Sequence, residues 1–160
     1  MTMLNNFFQK RFARSNSRPI KCQSHCFGKM VISLCHLFVV NCAALLIQKH
    51  FNGSSYFNRS WAEYKVGFGD PSGDDYWIGN DRLSQLTLTG RYKLRFDLQS
   101  RSNPNNWYWA EYSTFQVQSE ANRYRLQVAG YSGNAGGFDA FGYSNGMMFS
   151  TYDRDNDGRN

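Results

Sequence analysis

Apolar and polar side chains alternate along the second half of the chain. Between residues 91 and 98 every second residue is apolar and the others are charged: Tyr92, Leu94, Phe96 and Leu98 against Arg91, Lys93, Arg95 and Asp97. This two-residue period predicts a strand with one buried face and one charged face. The same alternation occurs over 115–117 and returns over 124–128 after a short polar turn. Two such runs around a turn predict an antiparallel hairpin.

Two short helices are predicted before these strands. Ser60 and Glu63 have the spacing of a capping box, in which each side chain bonds to the other residue's backbone N–H. A second helix is expected from Asn80, a good N-cap residue, with Leu83 and Leu86 on one face. Short helices flanking a mainly antiparallel sheet place the chain in the α+β class.

No catalytic motif is found in the sequence. The glycine-rich stretch over 130–137 matches no nucleotide-binding motif, so we expect it to form a turn. His50 has no acid or nucleophile near it in a suggestive pattern. The carboxylates of Asp74, Asp75 and Glu111 are scattered along the chain, and no spacing pairs them for acid–base chemistry. We therefore predict no catalytic residues and a protein that is not an enzyme.

Composition divides the chain into two segments. Residues 1–46 hold six of the 18 Lys and Arg residues, no acid and all four cysteines. Residues 47–160 hold 12 basic and 12 acidic residues, with all four tryptophans and all ten tyrosines. The net charge of +6 is therefore the charge of a basic leader joined to a neutral aromatic domain. Charge alone thus gives no reason to expect a nucleic-acid partner.

The leader contains an 18-residue uncharged run over 30–47. A basic stretch followed by an apolar one is typical of a signal peptide or signal anchor. A non-native leader and a mitochondrial presequence remain alternatives. Cys22 and Cys26 have the spacing of half a zinc finger, but Cys35 and Cys42 lie within the apolar run, so we interpret all four as unrelated thiols.

Two N-glycosylation sequons follow the apolar run, at Asn52 and Asn58. They have meaning only if the chain enters the secretory route. Because Ser60 completes the second sequon and is also the predicted helix cap, Asn52 is favoured as the acceptor.

The end of the chain carries the one spacing that indicates metal chemistry. Asp153, Asp155 and Asp157 alternate and are followed by Gly158, which matches the first half of an EF-hand loop. Calcium prefers six to eight oxygen ligands, and a hard cation relieves the repulsion between neighbouring carboxylates. The preceding residues 146–151 indicate strand rather than helix, which argues against an EF-hand. A solvated acidic turn is the alternative.

Several motifs in one order resemble the fibrinogen C-terminal domain, which occurs in fibrinogen chains, ficolins, tachylectins, angiopoietins and molluscan fibrinogen-related proteins. The resemblance runs from about Ile47 to Asn160, with motifs over 61–69, 76–80, 86–98, 130–136 and 146–157. It implies a mixed helix-and-sheet fold, a secreted or extracellular setting and no catalysis. The opening cysteine and strand of the family, and its later cysteine pair and tryptophan-rich stretch, are not matched, so we expect a domain truncated at both ends.

The resemblance also implies a calcium site. Its two side-chain carboxylates map onto Asp155 and Asp157, and its first backbone carbonyl maps onto Arg159. Asp153 lies in the motif but is not expected to bind the ion directly. The next carbonyl would lie beyond Asn160, so the calcium site is incomplete in this chain, and the residues that contact the ligand are not assigned.

These expectations favour a calcium-assisted lectin-like module that binds acetylated glycans in innate defence. The alternative is an adhesive or signalling domain that binds extracellular proteins or assembles into a homo-oligomer. A fragment without activity of its own is the third reading.

Overall fold

The computed structural model describes residues 26–34, 43–50, 55–89, 91–100, 103–135 and 139–156. Within them, seven strands form one antiparallel sheet: β1 (Cys26–Leu34), β2 (Ala43–His50), β3 (Phe68–Gly69), β4 (Tyr76–Trp77), β5 (Tyr92–Ser100), β6 (Trp107–Val117) and β7 (Leu126–Gly133). The order across the sheet is β3-β4-β2-β1-β5-β6-β7.

Two α-helices accompany the sheet, α1 (Trp61–Val66) and α2 (Asn80–Leu88). Single 3₁₀ turns occupy Ser55–Phe57, Glu120–Asn122 and Gly142–Ser144. The predicted α+β class, with a mainly antiparallel sheet and short flanking helices, is confirmed. No helix in the described part of the chain has the length and hydropathy needed to cross a membrane.

The predicted strands of the second half are confirmed. Tyr92, Leu94 and Phe96 are buried on β5, while the charged residues between them are half-buried. β6 and β7 form the predicted hairpin, in which Val117 lies opposite Leu126. The two-residue period identified these strands because one face of the sheet packs on the core and the other meets solvent.

The sheet begins before the predicted domain boundary. The boundary after residue 46 falls inside β2, and β1 lies wholly within the predicted leader. β1 pairs with β5 from Cys26 opposite Ser100 to Ser33 opposite Lys93. A central strand needs hydrogen-bonding neighbours on both sides, and β1 supplies the one that β5 requires. Residues 1–25 lie outside the described part, and their role as a leader stays a prediction.

The glycine-rich stretch is only partly a turn. Its first four residues, 130–133, belong to β7, and the chain turns afterwards at Asn134 and Ala135. Gly130 has a positive φ of 71°, and an added Cβ would lie 1.9 Å from the Ser113 hydroxyl on β6. The glycine therefore lets the two strands approach closely, which the sequence pattern alone did not indicate.

The ends of the two helices meet backbone to backbone. The predicted N-cap role of Asn80 is wrong, because Gly79 is the cap and Asn80 begins α2 with a buried side chain. Gly67, which ends α1, and Gly79 have φ values of 96° and 102°. A Cβ on Gly79 would lie 2.6 Å from the Val66 carbonyl oxygen, and one on Gly67 would lie 2.7 Å from the Ile78 carbonyl oxygen. Only glycine combines these dihedrals with this spacing.

The predicted capping box at the start of α1 is present. The Ser60 backbone N–H donates to Glu63 Oε2 over 2.9 Å, and the Glu63 N–H donates to the Ser60 hydroxyl over 3.4 Å. The Arg59 guanidinium also donates to Glu63 Oε1 over 2.8 Å. The Glu63 carboxylate thus bonds both to Ser60, the N-cap of α1, and to Arg59, the residue before the cap.

The capping box predicts a pH dependence of stability. The Ser60 N–H, with help from Arg59 and the Ser60 hydroxyl, lowers the pKa of Glu63 from its ordinary 4.5 to about 2. Because the folded pKa is the lower one, this stabilisation is complete above pH 4.5 and is lost as the pH falls toward 2. We expect Glu63→Gln to flatten the fall in unfolding free energy over that range, measured by urea denaturation. A pH profile parallel to that of the parent chain would contradict this.

Candidate functional site

Residues 139–156, here called the C-terminal segment, cross the start of β7 and reach the first turn of α1. The Leu126 N–H donates to the Met147 carbonyl and the Phe149 N–H donates to the Arg123 carbonyl, both over 2.9 Å. Over 146–151 the segment is not helical, but it also does not form the strand that the sequence indicated; Thr151 and Arg154 form an isolated bridge. The segment lies against the helices and against the turn between β6 and β7. The predicted metal motif begins within the segment.

Asp153 connects the C-terminal segment to α1. Its Oδ1 accepts the backbone N–H of Trp61 over 2.9 Å, although 92 positions separate the two residues. The first N–H groups of a helix have no partner within the helix, and a carboxylate there also interacts favourably with the helix dipole. The Asp153 carboxylate therefore has a structural role in holding the segment on the helix.

Trp61 is the centre of a polar cluster around this connection. Its side chain is buried, and its indole N–H donates to Glu120 Oε1 over 2.8 Å. The Lys65 ammonium bonds to the other Glu120 oxygen, and these two donors lower the pKa of Glu120. The Arg154 guanidinium lies 4.5 Å from the centre of the Trp61 ring. We call Trp61, Lys65, Glu120, Asp153 and Arg154 the Trp61 cluster.

A second hydrogen bond ties α2 to the same cluster. The Tyr124 hydroxyl donates to Asp81 Oδ1 over 2.6 Å, and the Lys65 ammonium lies 3.9 Å from Asp81 Oδ2. Burial, and then the bond to Asp81, raise the pKa of Tyr124, so its hydroxyl remains a donor at any physiological pH. Both helices, the hairpin turn and the C-terminal segment are thereby held in one arrangement.

The predicted calcium ligands are only partly within the described residues. Asp155 is exposed, while Asp157 and Arg159 lie outside the described part of the chain. Asp153, which the sequence placed in the same motif, is bonded to Trp61 instead. Over the residues that are described, no group of three or more His, Cys, Asp or Glu side chains is arranged to hold a metal ion. The calcium assignment stays a prediction.

The two predicted glycosylation sites fall in different parts of the chain. Asn58 is exposed just before α1. Its sequon shares Ser60, whose hydroxyl donates to Glu63 Oε2 over 2.8 Å within the capping box. Asn52 lies outside the described residues.

The fold gives His50 and two of the scattered carboxylates partners that sequence reasoning missed. The Asp75 Oδ1 lies 2.9 Å from His50 Nδ1, although 25 positions separate them. Glu111 lies 3.2 Å from the Lys93 ammonium across β5 and β6. Both contacts connect strands or loops of the sheet, so we interpret them as stabilising the fold. No local spacing could have indicated the contact between His50 and Asp75.

Exposed aromatic and methionine side chains distinguish the surface of the C-terminal segment. Tyr143 and Tyr152 are 63% and 62% exposed, and Met147 is 37% exposed. Aromatic residues, methionine and arginine are enriched in protein interfaces. The Met147 N–H donates to the Ser144 carbonyl over 3.0 Å, which fixes the backbone between two of these side chains. The arrangement is suited to contact with another molecule.

The architecture is that of a fibrinogen-like globe. The fibrinogen-like globe domain of human ANGPTL2 superimposes with a TM-score of 0.63 at 31% identity, covering 79% of this chain and 62% of that one. A lamprey fibrin D-dimer, solved with the peptide Gly-His-Arg-Pro-amide, gives 0.58 at 28% identity over 80% of this chain and 48% of its own. The family of the C-terminal globular domain of fibrinogen beta and gamma chains matches residues 9–160, and the chain belongs to this family.

Three further proteins have sequences similar to this chain. The chain is 45% identical over 125 residues to the scabrous protein of Drosophila melanogaster, covering 76% of this chain and 15% of that one. It is 46% identical over 112 residues to angiopoietin-4 of Bos taurus, covering 70% and 22%. With fibrinogen-like protein A of Apostichopus parvimensis it shares 36% over 130 residues, covering 81% and 44%. The chain thus spans less than half the length of these relatives.

Proposed function

We propose that this chain is a non-enzymatic extracellular recognition domain whose partner is a protein. The similarity to angiopoietin-4 and the membership of the fibrinogen C-terminal family support an extracellular setting for this chain. The lamprey fibrin D-dimer, whose fold is similar, holds a peptide ligand. The observation on which the proposal rests is the exposed group of Tyr143, Met147 and Tyr152.

The physical argument concerns rigidity as well as composition. Exposed aromatic side chains give affinity when the backbone that carries them is already ordered, because less conformational entropy is lost on binding. Backbone bonds to Arg123 and Leu126, together with the Asp153 connection to α1, hold the C-terminal segment in place. The backbone that carries the three exposed side chains is therefore ordered before a partner binds.

Binding of the labelled chain to cultured cells, measured by flow cytometry, tests this proposal. We expect the triple variant Tyr143→Ala, Met147→Ala, Tyr152→Ala to bind at least about tenfold more weakly, since interface residues of this type carry most of the binding energy. The matched control is Val66→Ala with Leu88→Ala, which removes side chains that are 65% and 53% exposed on the helices. This control should bind as the parent does.

Treatment of the cells separates a protein partner from a glycan. We expect trypsin treatment of the cells to abolish binding and treatment with N-glycosidase and sialidase to leave it. Binding that survives trypsin, or that the triple variant retains, would contradict a protein partner on this surface.

The second candidate is calcium-assisted, lectin-like binding of acetylated glycans in innate defence. It is supported by the alternate aspartates of the terminal motif and by the family to which the chain belongs. Asp155 and Asp157 would supply side-chain oxygens and Arg159 its backbone carbonyl. Bound calcium would order this loop and draw its carboxylates together.

Calorimetric titration with calcium tests the metal site. We expect Asp155→Ala to abolish the binding heat, because it removes one of two proposed side-chain ligands. Asp153→Ala should keep the calcium affinity within about threefold and lower the unfolding free energy, since it removes the acceptor at α1 and no proposed calcium ligand. No heat with the parent chain, or equal losses in both variants, would exclude this assignment.

Glycosylation is proposed at Asn52 in preference to Asn58. When the chain is produced in a secretory cell, we expect N-glycosidase to reduce the mass of the parent and of Asn58→Gln. The mass of Asn52→Gln should not change, because the hydroxyl of Ser60 is engaged in the capping box. A mass loss in the parent and in Asn52→Gln, with none in Asn58→Gln, would reverse the assignment.

A further inference from the structure

Two exposed arginines lie beside Met147 of the C-terminal segment. The Arg125 guanidinium donates to the Gly146 carbonyl over 2.7 Å, and the Arg123 guanidinium lies 3.7 Å from the Met148 sulfur. The two cations thus contact the residues on either side of Met147, whose own side chain is 37% exposed. We call Arg123, Met147 and Arg125 the arginine–methionine patch.

Backbone hydrogen bonds fix the chain that carries this patch. The Leu126 N–H donates to the Met147 carbonyl over 2.9 Å, and the Gly146 N–H donates to the Leu126 carbonyl over 2.7 Å. The Phe149 N–H donates to the Arg123 carbonyl over 2.9 Å. Because these bonds join the two stretches of chain, the backbone of the patch is ordered before a partner arrives, which lowers the entropy lost on binding.

The two positive charges of the patch are not balanced by ion pairs. Among the described residues, no carboxylate forms an ion pair with Arg123 or Arg125. The cations Lys65 and Arg154, by contrast, share the carboxylate of Glu120. Each guanidinium has five N–H donors, so both arginines of the patch keep donors for a partner.

The acids of the C-terminal segment have other roles. The Asp139 carboxylate accepts the Tyr112 hydroxyl over 2.7 Å, and Asp153 accepts the backbone N–H of Trp61 over 2.9 Å. Asp155 belongs to the proposed calcium motif. None of the three forms an ion pair with the patch, so the patch presents positive charge around an apolar side chain.

We propose that the protein partner binds this patch through an acidic segment. Carboxylates of the partner accept hydrogen bonds from Arg123 and Arg125, and an apolar side chain between them packs on Met147. Guanidinium groups bind carboxylates through paired N–H donors, and methionine adapts to apolar groups of varied shape. This inference rests on the function proposed above and adds the chemistry of the partner.

Fluorescence anisotropy with a labelled peptide tests the proposal on the full chain. The probe is Gly-Glu-Glu-Leu-Glu-Glu-Gly, and the control peptide has Gln in place of every Glu. We expect the parent chain to bind only the acidic peptide, with an affinity that falls as the salt rises from about 0.05 to 0.5 M, because salt screens exposed charges. The variant Arg123→Gln, Arg125→Gln should bind about tenfold more weakly, as expected for the loss of two exposed ion pairs.

Two further variants separate the charge of the patch from other effects. Arg82→Gln with Arg91→Gln removes the same two charges at exposed positions that have no ion pair with the described acids, and it should bind as the parent does. Arg123→Lys with Arg125→Lys keeps both charges and should bind more tightly than the Gln variant. Limited proteolysis of each variant reports whether the C-terminal segment stays ordered.

Three results would overturn the proposal. The first is a parent chain that does not prefer the acidic peptide to the neutral one. The second is an equal loss of binding in the Lys and Gln variants of the patch, which would assign both arginines to contacts within the chain. The third is heparin binding that depends on Arg123 and Arg125 without any binding of the acidic peptide, which would assign the patch to sulfated polysaccharides.

The cell-binding assay distinguishes failure of this inference from failure of the proposed function. If the triple variant of the C-terminal segment loses cell binding while Arg123→Gln, Arg125→Gln binds cells as the parent does, the protein partner stands and its acidic chemistry is wrong. If the parent chain does not bind cells at all, the proposed function fails, and the peptide measurements still decide the chemistry of the patch.

Discussion

Replacing Gly79 with alanine is expected to lower the unfolding free energy by about 3 kcal/mol or more. The residue has a φ of 102°, which a side chain rarely adopts, and the added methyl would lie 2.6 Å from the Val66 carbonyl oxygen. Unusual backbone dihedrals cost about 1–3 kcal/mol, and overpacking adds a similar amount. Urea denaturation monitored by tryptophan fluorescence measures the loss.

Gly73→Ala is the matched control for this glycine. An added Cβ there would lie 3.4 Å from its nearest neighbour, the Asp70 carbonyl oxygen, and the residue does not have a positive φ. We expect a change within about 0.5 kcal/mol. Equal losses at Gly79 and Gly73 would show that the junction between α1 and α2 is not closely packed.

Trp61→Ala is expected to have a comparably large effect, about 3–5 kcal/mol. The ring is 5% exposed and packs on Tyr124 and Phe149, with ring centroids 5.3 and 5.9 Å away. The substitution also leaves Glu120 without its indole donor and Arg154 without its ring. Denaturation gives the overall loss, and limited proteolysis shows whether the C-terminal segment separates from the helices.

Two comparisons make the Trp61 experiment specific. Trp61→Phe keeps most of the packing and loses the hydrogen bond to Glu120, so we expect a smaller loss of about 1–2 kcal/mol. Trp61→Ala should expose the C-terminal segment to cleavage at denaturant concentrations where Trp61→Phe is still resistant. Equal protease resistance of both variants would mean that the segment is held without the Trp61 cluster.

If the cluster positions the segment, Trp61→Ala will also weaken binding to cells, although Trp61 itself is buried. The loss of cell binding in Trp61→Ala should increase with the fraction of molecules in which the C-terminal segment is not ordered. The cell assay on this variant thus connects the stability of the site to its proposed use.

Local features were predicted best from the sequence. The capping box of Ser60 and Glu63 involves residues three positions apart, and a two-residue period predicts β5, the end of β6 and the start of β7. The order of the family motifs identified the fibrinogen-like class, which the structural neighbours confirm. The helix cap depends on interactions within one helix, and the strands show a pattern of exposure that repeats along the chain.

Errors arose where distant parts of the chain decide the outcome. Asn80 is a good cap by residue type, yet the close approach of α1 places Gly79 at that position. The apolar run over 30–47 contributes residues to β1 and β2, and β1 pairs with both β2 and β5, while the assignment of residues 1–46 as a leader stays a prediction. Composition cannot distinguish a leader from a strand of a sheet, since both are rich in apolar residues.

The amino-acid sequence by itself determined the family, the class of fold, the first helix cap and the strands of the second half, because short-range hydrogen bonds and periodic burial govern them. Only the tertiary structure decided that Asp153 holds Trp61, that Asp75 meets His50 and that Glu120 joins Lys65 to Trp61. These contacts join residues 25 to 92 positions apart. Backbone pairing and core packing bring them together, and no spacing along the chain encodes that distance.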